Sequence, residues 1–213
     1  MFVASKAVAL QRELGRFALI QPLELDRVEI VAGLDVGYRK SLGYAVALAY
    51  DVRNQREVCW VAVSSEVEIP YVPGLLAFRE APLMVAALKE LVEQCTEIDV
   101  VMVNGHGLAH PRRAGIATHI GLALDMPSIG IAKKKLFGDL VEENGRVAIY
   151  VEKQKVGYVV EYRGAKTFVT VGHRVDPDTA LELALRIWRE GARFPEPIEL
   201  ADKVSKKVAK ELG

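Results

Sequence analysis

The chain has 213 residues, 51% apolar and 26% charged, the proportions of a folded globular protein. Its 28 basic residues balance 28 acidic ones. That balance excludes a histone-like coat, a polybasic arm and an acidic tail, but it leaves nucleic acid open, because binding depends on where the charge sits.

The length fits one domain, residues 1–213. Lys6, Arg12, Glu13 and Arg16 interrupt the N-terminal segment, so no signal-peptide core is expected there. No uncharged apolar run is long enough for a membrane span, and a cytoplasmic address is expected, with a monomer as the default. Cys59 and Cys95 make no CxxC pair, and buried reduced thiols are expected at both.

In chain order, Leu10, Leu14 and Phe17 recur at helical spacing and predict an amphipathic helix over 5–18. Residues 28–36, 43–50 and 57–64 read as strands joined by short polar links, an antiparallel meander. Leu83, Ala87, Leu88 and Leu91 predict a helix over 83–95, with Pro82 in its first turn. Residues 98–103 and 128–132 are short buried strands, separated by a helix from Pro111 to about Asp125. Strand–helix–strand alternation makes these strands parallel. Strands follow near 146–151, 156–161 and 167–171. Asp176 and Pro177 then open a helix to Glu190, and a last helix spans about 199–211. The expectation is one α/β fold, an antiparallel meander extended by parallel strands and flanked by helices.

Several residues carry chemistry. Asp35 and Asn104 each close an apolar strand, where α/β folds place ligand groups. With Glu80 and Asp202 they would suit a hard cation that keeps waters for phosphate oxygens, although spacing alone favours turn or cap roles for Asp35 and Asp202 and a surface ion pair for Glu80. The loop from Asn104 to Arg113 holds two glycines and leads into a predicted helix start, with Arg112 and Arg113 in its first turn. An anion site there competes with an ordinary polar loop. Tyr71 stands between prolines, either as a packed turn or as a wedge for a base stack. Lys133 opens a lysine run after a strand. Lys203, Lys206, Lys207 and Lys210 recur along the last helix, suited to water or to a phosphate track. His119 and His173 are expected to be structural.

The segments Val31–Asp35, Pro70–Glu80, Gly105–His119, Ile129–Lys133 and Pro195–Pro197 with Leu200–Asp202, in this order, resemble the endonuclease V family. This family belongs to the ribonuclease H-like superfamily, and the resemblance runs from about residue 28 to 204. It implies a ribonuclease H-like mixed β-sheet and Mg²⁺-dependent hydrolysis, with Mn²⁺ as a substitute, near deoxyinosine in DNA or inosine in RNA. The second phosphodiester bond 3′ of the lesion would be cut, leaving 3′-OH and 5′-phosphate. Asp35, Glu80 and Asp202 match metal-site positions, and Lys133 matches the lysine near the scissile phosphate. Tyr71 matches the strand-separating wedge, framed by Pro70, Val72 and Pro73. Gly74, Leu76, Gly105, Gly107, Gly115 and Gly130 match the pocket for the extruded base, with His110 beside it; Arg112, from the anion-site loop, is expected to meet phosphate.

Asn104 departs from the family's pattern, which has aspartate there. Asn keeps an oxygen but loses the charge, so an inactivated or weakened nuclease is expected. An inosine-binding protein without cleavage, or a ribonuclease H-like nuclease with another substrate, are the alternatives.

Overall fold

A nine-stranded mixed sheet organises the computed structural model, which describes residues 2–162 and 164–211. The strands β1 (Ile30–Arg39), β2 (Leu42–Asp51) and β3 (Arg56–Glu66) form the expected antiparallel meander. On the other side of β1, β4 (Val100–Asn104) and β5 (Ser128–Ala132) run parallel to it. The remaining strands, β6 (Asp139–Glu143), β7 (Arg146–Val151), β8 (Gln154–Tyr162) and β9 (Ala165–His173), are antiparallel and attach through β9 to β5. The spatial order is β3-β2-β1-β4-β5-β9-β8-β7-β6. The mixed α/β architecture is therefore the expected one, with β6 as an addition. Leu140 and Val141 sit side by side among acidic residues, a pattern without strand alternation, and β6 is an exposed edge.

Period-two alternation sorts β1 and β4 into two cores. Ala32, Leu34, Val101 and Val103 pack with α2 (Leu76–Gln94) and α3 (Ile116–Leu124) on one face. Val31, Val100 and Met102 pack with α4 (Pro177–Arg186) and α5 (Glu196–Glu211) on the other. The last helix lies directly on β1. A side chain at Gly33 would strike the Pro197 carbonyl, and one at Gly37 the Ser205 carbonyl. Glycine there lets helix and strand backbones approach closely.

Five local expectations are corrected. The first helix forms as α1 (Ala4–Phe17), but its docked face is Ala7, Gln11 and Gly15, leaving Leu10 and Phe17 exposed. Helix α2 begins at Leu76, so Pro82 lies inside it rather than in its first turn. Pro82 faces solvent, the side where a helix tolerates a lost hydrogen bond. Helix α3 begins at Ile116 rather than Pro111, because Gly107, Arg113 and Gly115 sustain a turn first. Arg112 and Arg113 therefore lie outside its first turn, and Arg113 has φ +54°. Helix α4 stops at Arg186, short of Glu190.

The cysteines are neither reduced nor buried. Cys59 on β3 and Cys95 at the end of α2 form a disulfide across a Cα–Cα distance of 6.7 Å, with Cys95 exposed. Strand pairing and helix packing bring together two thiols that sequence spacing keeps apart. Among the described residues no helix is long and apolar enough to cross a membrane.

Candidate active site at the ends of the central strands

The parallel register pairs Leu34 with Val103, which sets Asp35 beside Asn104 at the end of β4. Asn104 Nδ2 donates to Asp35 Oδ1 at 2.8 Å, and Ser205 on α5 donates its hydroxyl to Asp35 Oδ2. Asp35 is buried. Burial pushes its carboxyl above the usual range, the Ser205 and Asn104 hydrogen bonds pull it back, and the Asp202 charge raises it.

Glu80 arrives from α2, on the opposite face of the sheet. It too is buried, and burial pushes its pKa up to about 7. Tyr38 Oη, donating to Glu80 Oε1 at 2.8 Å, opposes the shift, and the Asp35 charge adds to it. Arg79 stacks on the Tyr38 ring at 4.6 Å, donates to its hydroxyl at 3.1 Å and holds the Ile69 carbonyl. Asp202, half-buried on α5, pairs with Lys206 one turn on, at 2.5 Å.

Among the described residues no three His, Cys, Asp or Glu side chains close on a common point. Neither Asp35 nor Glu80 has a Lys or Arg ion-pair partner among the described residues. Two buried, mutually repelling carboxylates are costly unless a cation relieves them. Mg²⁺ binds through one or two carboxylates and keeps waters for phosphate oxygens, so Asp35 and Glu80, with the Asn104 amide at hand, fit one such ion. The Asp202 charge acts on Asp35 from α5.

A cavity of about 410 Å³ opens beside this cluster. Tyr71, Gly74, Leu76 and Ala77 form one wall; Asn104, Gly105, His110 and Gly115 form another. Lys133 to Leu136 close its rim. The size falls within the range of small-ligand sites. Tyr71 is 68% exposed, so the ring stands free of its own loop. Pro70, Val72 and Pro73 do not line the cavity; they frame the loop around Tyr71. Gly107 and Gly130 lie behind the wall, where a side chain on Gly130 would strike the Gly105 carbonyl and the Gly107 amide.

One hydrogen-bond network holds the two walls together. The Arg112 amide donates to His110 Nδ1 at 3.1 Å, so His110 carries its proton on Nε2 and donates to the Gly74 carbonyl at 3.0 Å. Arg112 Nη2 donates to the same carbonyl at 2.8 Å, and Arg112 Nε donates to Gln11 Oε1 at 2.6 Å. Gln11 Nε2 completes the chain to the Ala114 carbonyl. Burial lowers the His110 pKa to about 4, keeping the ring neutral. Arg112 is thus a brace behind the cavity, not a lining residue.

Sequence reasoning missed Gln11, Tyr38 and Ser205. Ser205 follows Asp202 at i+3 on one helix face, a signal that was available. Nothing local marks Gln11 or Tyr38. His119 packs edge-on to Phe78, but its buried Nε2 has no hydrogen-bond partner among the described residues, so it is not the satisfied core histidine expected; His173 is bonded to the Leu19 amide at 3.2 Å.

Comparison with known proteins agrees with this geometry. The family model for endonuclease V matches residues 14–203. Endonuclease V of Desulfurococcus amylolyticus is 42% identical, over 99% of this chain and 98% of that protein. The crystal structure of endonuclease V from Streptomyces avermitilis superposes with TM-score 0.85 at 30% identity, covering 100% of this chain and 95% of that one. An aspartate-to-asparagine variant of Ciona intestinalis endonuclease V superposes with TM-score 0.87 at 25% identity, covering 99% and 98%. That variant is in complex with a 23mer DNA containing an inosine followed by a ribo-adenosine. With the family model spanning most of the chain and a relative this similar over its full length, the chain belongs to the endonuclease V family.

Proposed function

We propose that this chain is a metal-dependent endonuclease directed to deoxyinosine in DNA, with inosine in RNA as a second substrate. It hydrolyses the second phosphodiester bond 3′ of the lesion to leave 3′-OH and 5′-phosphate. The observation that carries the reading is the cavity between the Tyr71 loop and the Gly105–Gly115 loop, which opens onto the buried Asp35–Asn104 pair.

Tyr71, exposed at the tip of a proline-framed loop, fills the gap that an extruded base leaves in the stack. The base enters the cavity, where the backbone of Gly74, Gly105 and Gly115 reads its edge. Neutral His110 and Arg112 fix the position of the Gly74 carbonyl for that reading. Lys133 on the rim offsets charge developing on the phosphate. Asp35 and Glu80, with the Asn104 carbonyl oxygen and Asp202 nearby, would hold the ion. Mg²⁺ or Mn²⁺, when bound, supplies Lewis-acid stabilisation of the phosphoryl oxygens and activates water. Ser205 and Tyr38 orient the two carboxylates.

Asn104 supports a second reading: recognition of inosine with cleavage lost or weakened, because an amide replaces a charge beside Asp35. Labelled duplexes with inosine or adenine at one position, incubated with Mg²⁺, decide between the readings. Nicking confined to the inosine strand supports the endonuclease, and retention without nicking supports the binding protein. Equal treatment of both duplexes overturns the inosine assignment.

A further inference from the structure

Beyond Asp35, β1 and α5 continue side by side away from the carboxylates. Gly37 lies against Ser205 and Ala209, and Arg39 Nη1 donates to the Lys210 carbonyl at 2.8 Å. Between them is an open groove of about 500 Å³ lined by Gly37, Tyr38, Arg39, Lys206, Ala209 and Lys210. Every ionisable side chain of the lining that is charged at neutral pH is a cation. Lys206 is paired with Asp202, whereas Arg39 and Lys210 have no ion-pair partner among the described residues. Both are exposed.

The groove is continuous with the proposed chemistry. Its Tyr38 bonds Glu80, its Lys206 bonds Asp202, and the adjoining Ser205 bonds Asp35. The base cavity lies on the other side of Asp35, joined to it through Asn104. Cavity, carboxylates and basic groove therefore follow one another along the sheet edge, over β5 and β4, then at β1, then between β1 and α5.

We infer that this groove is a phosphate track for the substrate strand on the 3′ side of the cleaved bond, with Arg39 and Lys210 as its contacts. The inference rests on the inosine-endonuclease reading for its direction: a base seated in the cavity and a cut on its 3′ side send the strand onward past Asp35. The reach is set by the two elements. Arg39 is four residues beyond Asp35 on a strand, about 13 Å. Lys210 is eight residues beyond Asp202 on a helix, about 12 Å. At 3.4 Å per nucleotide along duplex DNA, that covers roughly four phosphates. Gly37 and Ala209 pack against each other at the groove's buried floor.

The test is binding of inosine-containing duplexes, with Ca²⁺ in place of Mg²⁺, across a series of salt concentrations. The duplexes carry long or short arms on each side of the inosine. The unaltered chain should lose affinity when the 3′ arm is cut to fewer than roughly four nucleotides beyond the scissile bond. Its slope of log affinity against log salt should fall at the same point. Arg39→Gln with Lys210→Gln should lower that slope by about 2 on the long 3′ arm and make binding indifferent to 3′ arm length. Lys210→Gln alone, which leaves the backbone carbonyl for Arg39, should lower it by about 1. Unchanged slopes in both variants, or dependence on the 5′ arm instead, overturn the track. An adenine control separates the two readings. If arm effects persist while inosine and adenine bind equally, the inosine assignment fails and the track stands. If inosine is preferred and the variants change nothing, the track fails alone.

Discussion

Asn104→Asp should make the metal-free protein less stable and the protein with Mg²⁺ more active. The Asn104 amide nitrogen stands 2.8 Å from Asp35 Oδ1. A carboxylate oxygen in its place would repel Asp35 by about 6 kcal/mol at an effective dielectric constant of 20. Proton uptake limits that cost, because keeping one ordinary aspartate protonated at pH 7 costs about 4 kcal/mol. Loss of the amide hydrogen bond adds about 1 kcal/mol. A destabilisation of up to about 5 kcal/mol is therefore expected in a chelator, read as a Tm lower by up to about 10–20 °C for a chain of this length. Mg²⁺ at a hundredfold over its Kd returns about 2.7 kcal/mol, so its Tm increment should be larger in the variant than in the unaltered chain. Differential scanning fluorimetry with chelator and with Mg²⁺, paired with cleavage of an inosine duplex, measures all of this. Identical melting in chelator together with identical cleavage would show that the amide does not replace a working carboxylate, and the reasoning would fall.

Three further outcomes are expected. Tyr71→Ala should weaken binding of inosine in duplex DNA by about 1–3 kcal/mol, and less in single strands, which need no gap filled; equal losses on both would remove the wedge role. Native His110 holds its pKa near 4 against about 6.5 unfolded, so the unfolded chain binds the extra proton across that window. Stability is thus fully present above about pH 6.5 and falls towards pH 4, by up to about 3 kcal/mol from this residue. In chemical denaturation, the slope between those pH values should be shallower in His110→Gln. The Cys59–Cys95 disulfide closes 36 residues, worth about 4 kcal/mol of unfolded-state entropy, so reduction should lower Tm by about 8–16 °C; no shift would mean the thiols are free in solution.

The apolar runs of β1, β2, β4 and β5 were legible because strands covered on both faces need uninterrupted apolar sequence. Asn104 ends β4 as expected, whereas Asp35 lies inside β1, which runs on to Arg39 in its pairing with β2. The motif order supplied Glu80, Tyr71 and Lys133, which no periodicity singles out. Element starts read less well. At Leu76 and Ile116 the true boundary was hidden by a proline that normally begins a helix, and tertiary packing decided otherwise. The N-terminal helix misled more deeply. Its apolar stripe suggested the docked face, yet the face that docks carries Gln11, because a buried amide there satisfies Arg112 and the Ala114 carbonyl. Long-range hydrogen bonds of this kind leave no trace in local sequence, and the same holds for Tyr38 with Glu80. The disulfide was hidden for a related reason, since only the packing of α2 against β3 places its two halves together.

The bond between Ser205 and Asp35 joins residues 170 positions apart. The cluster around Asp35 thus needs the first strand and the last helix at once. A ribosome releases β1 well before α5, so the emerging chain holds Asp35 without its hydroxyl partner and without Asp202 until α5 follows. Docking of α5 onto the Gly33–Gly37 surface is a late, high-contact-order event. Assembly of the Asp35 cluster is coupled in this way to synthesis of α5, and a product truncated before α5 would expose the glycine surface of β1.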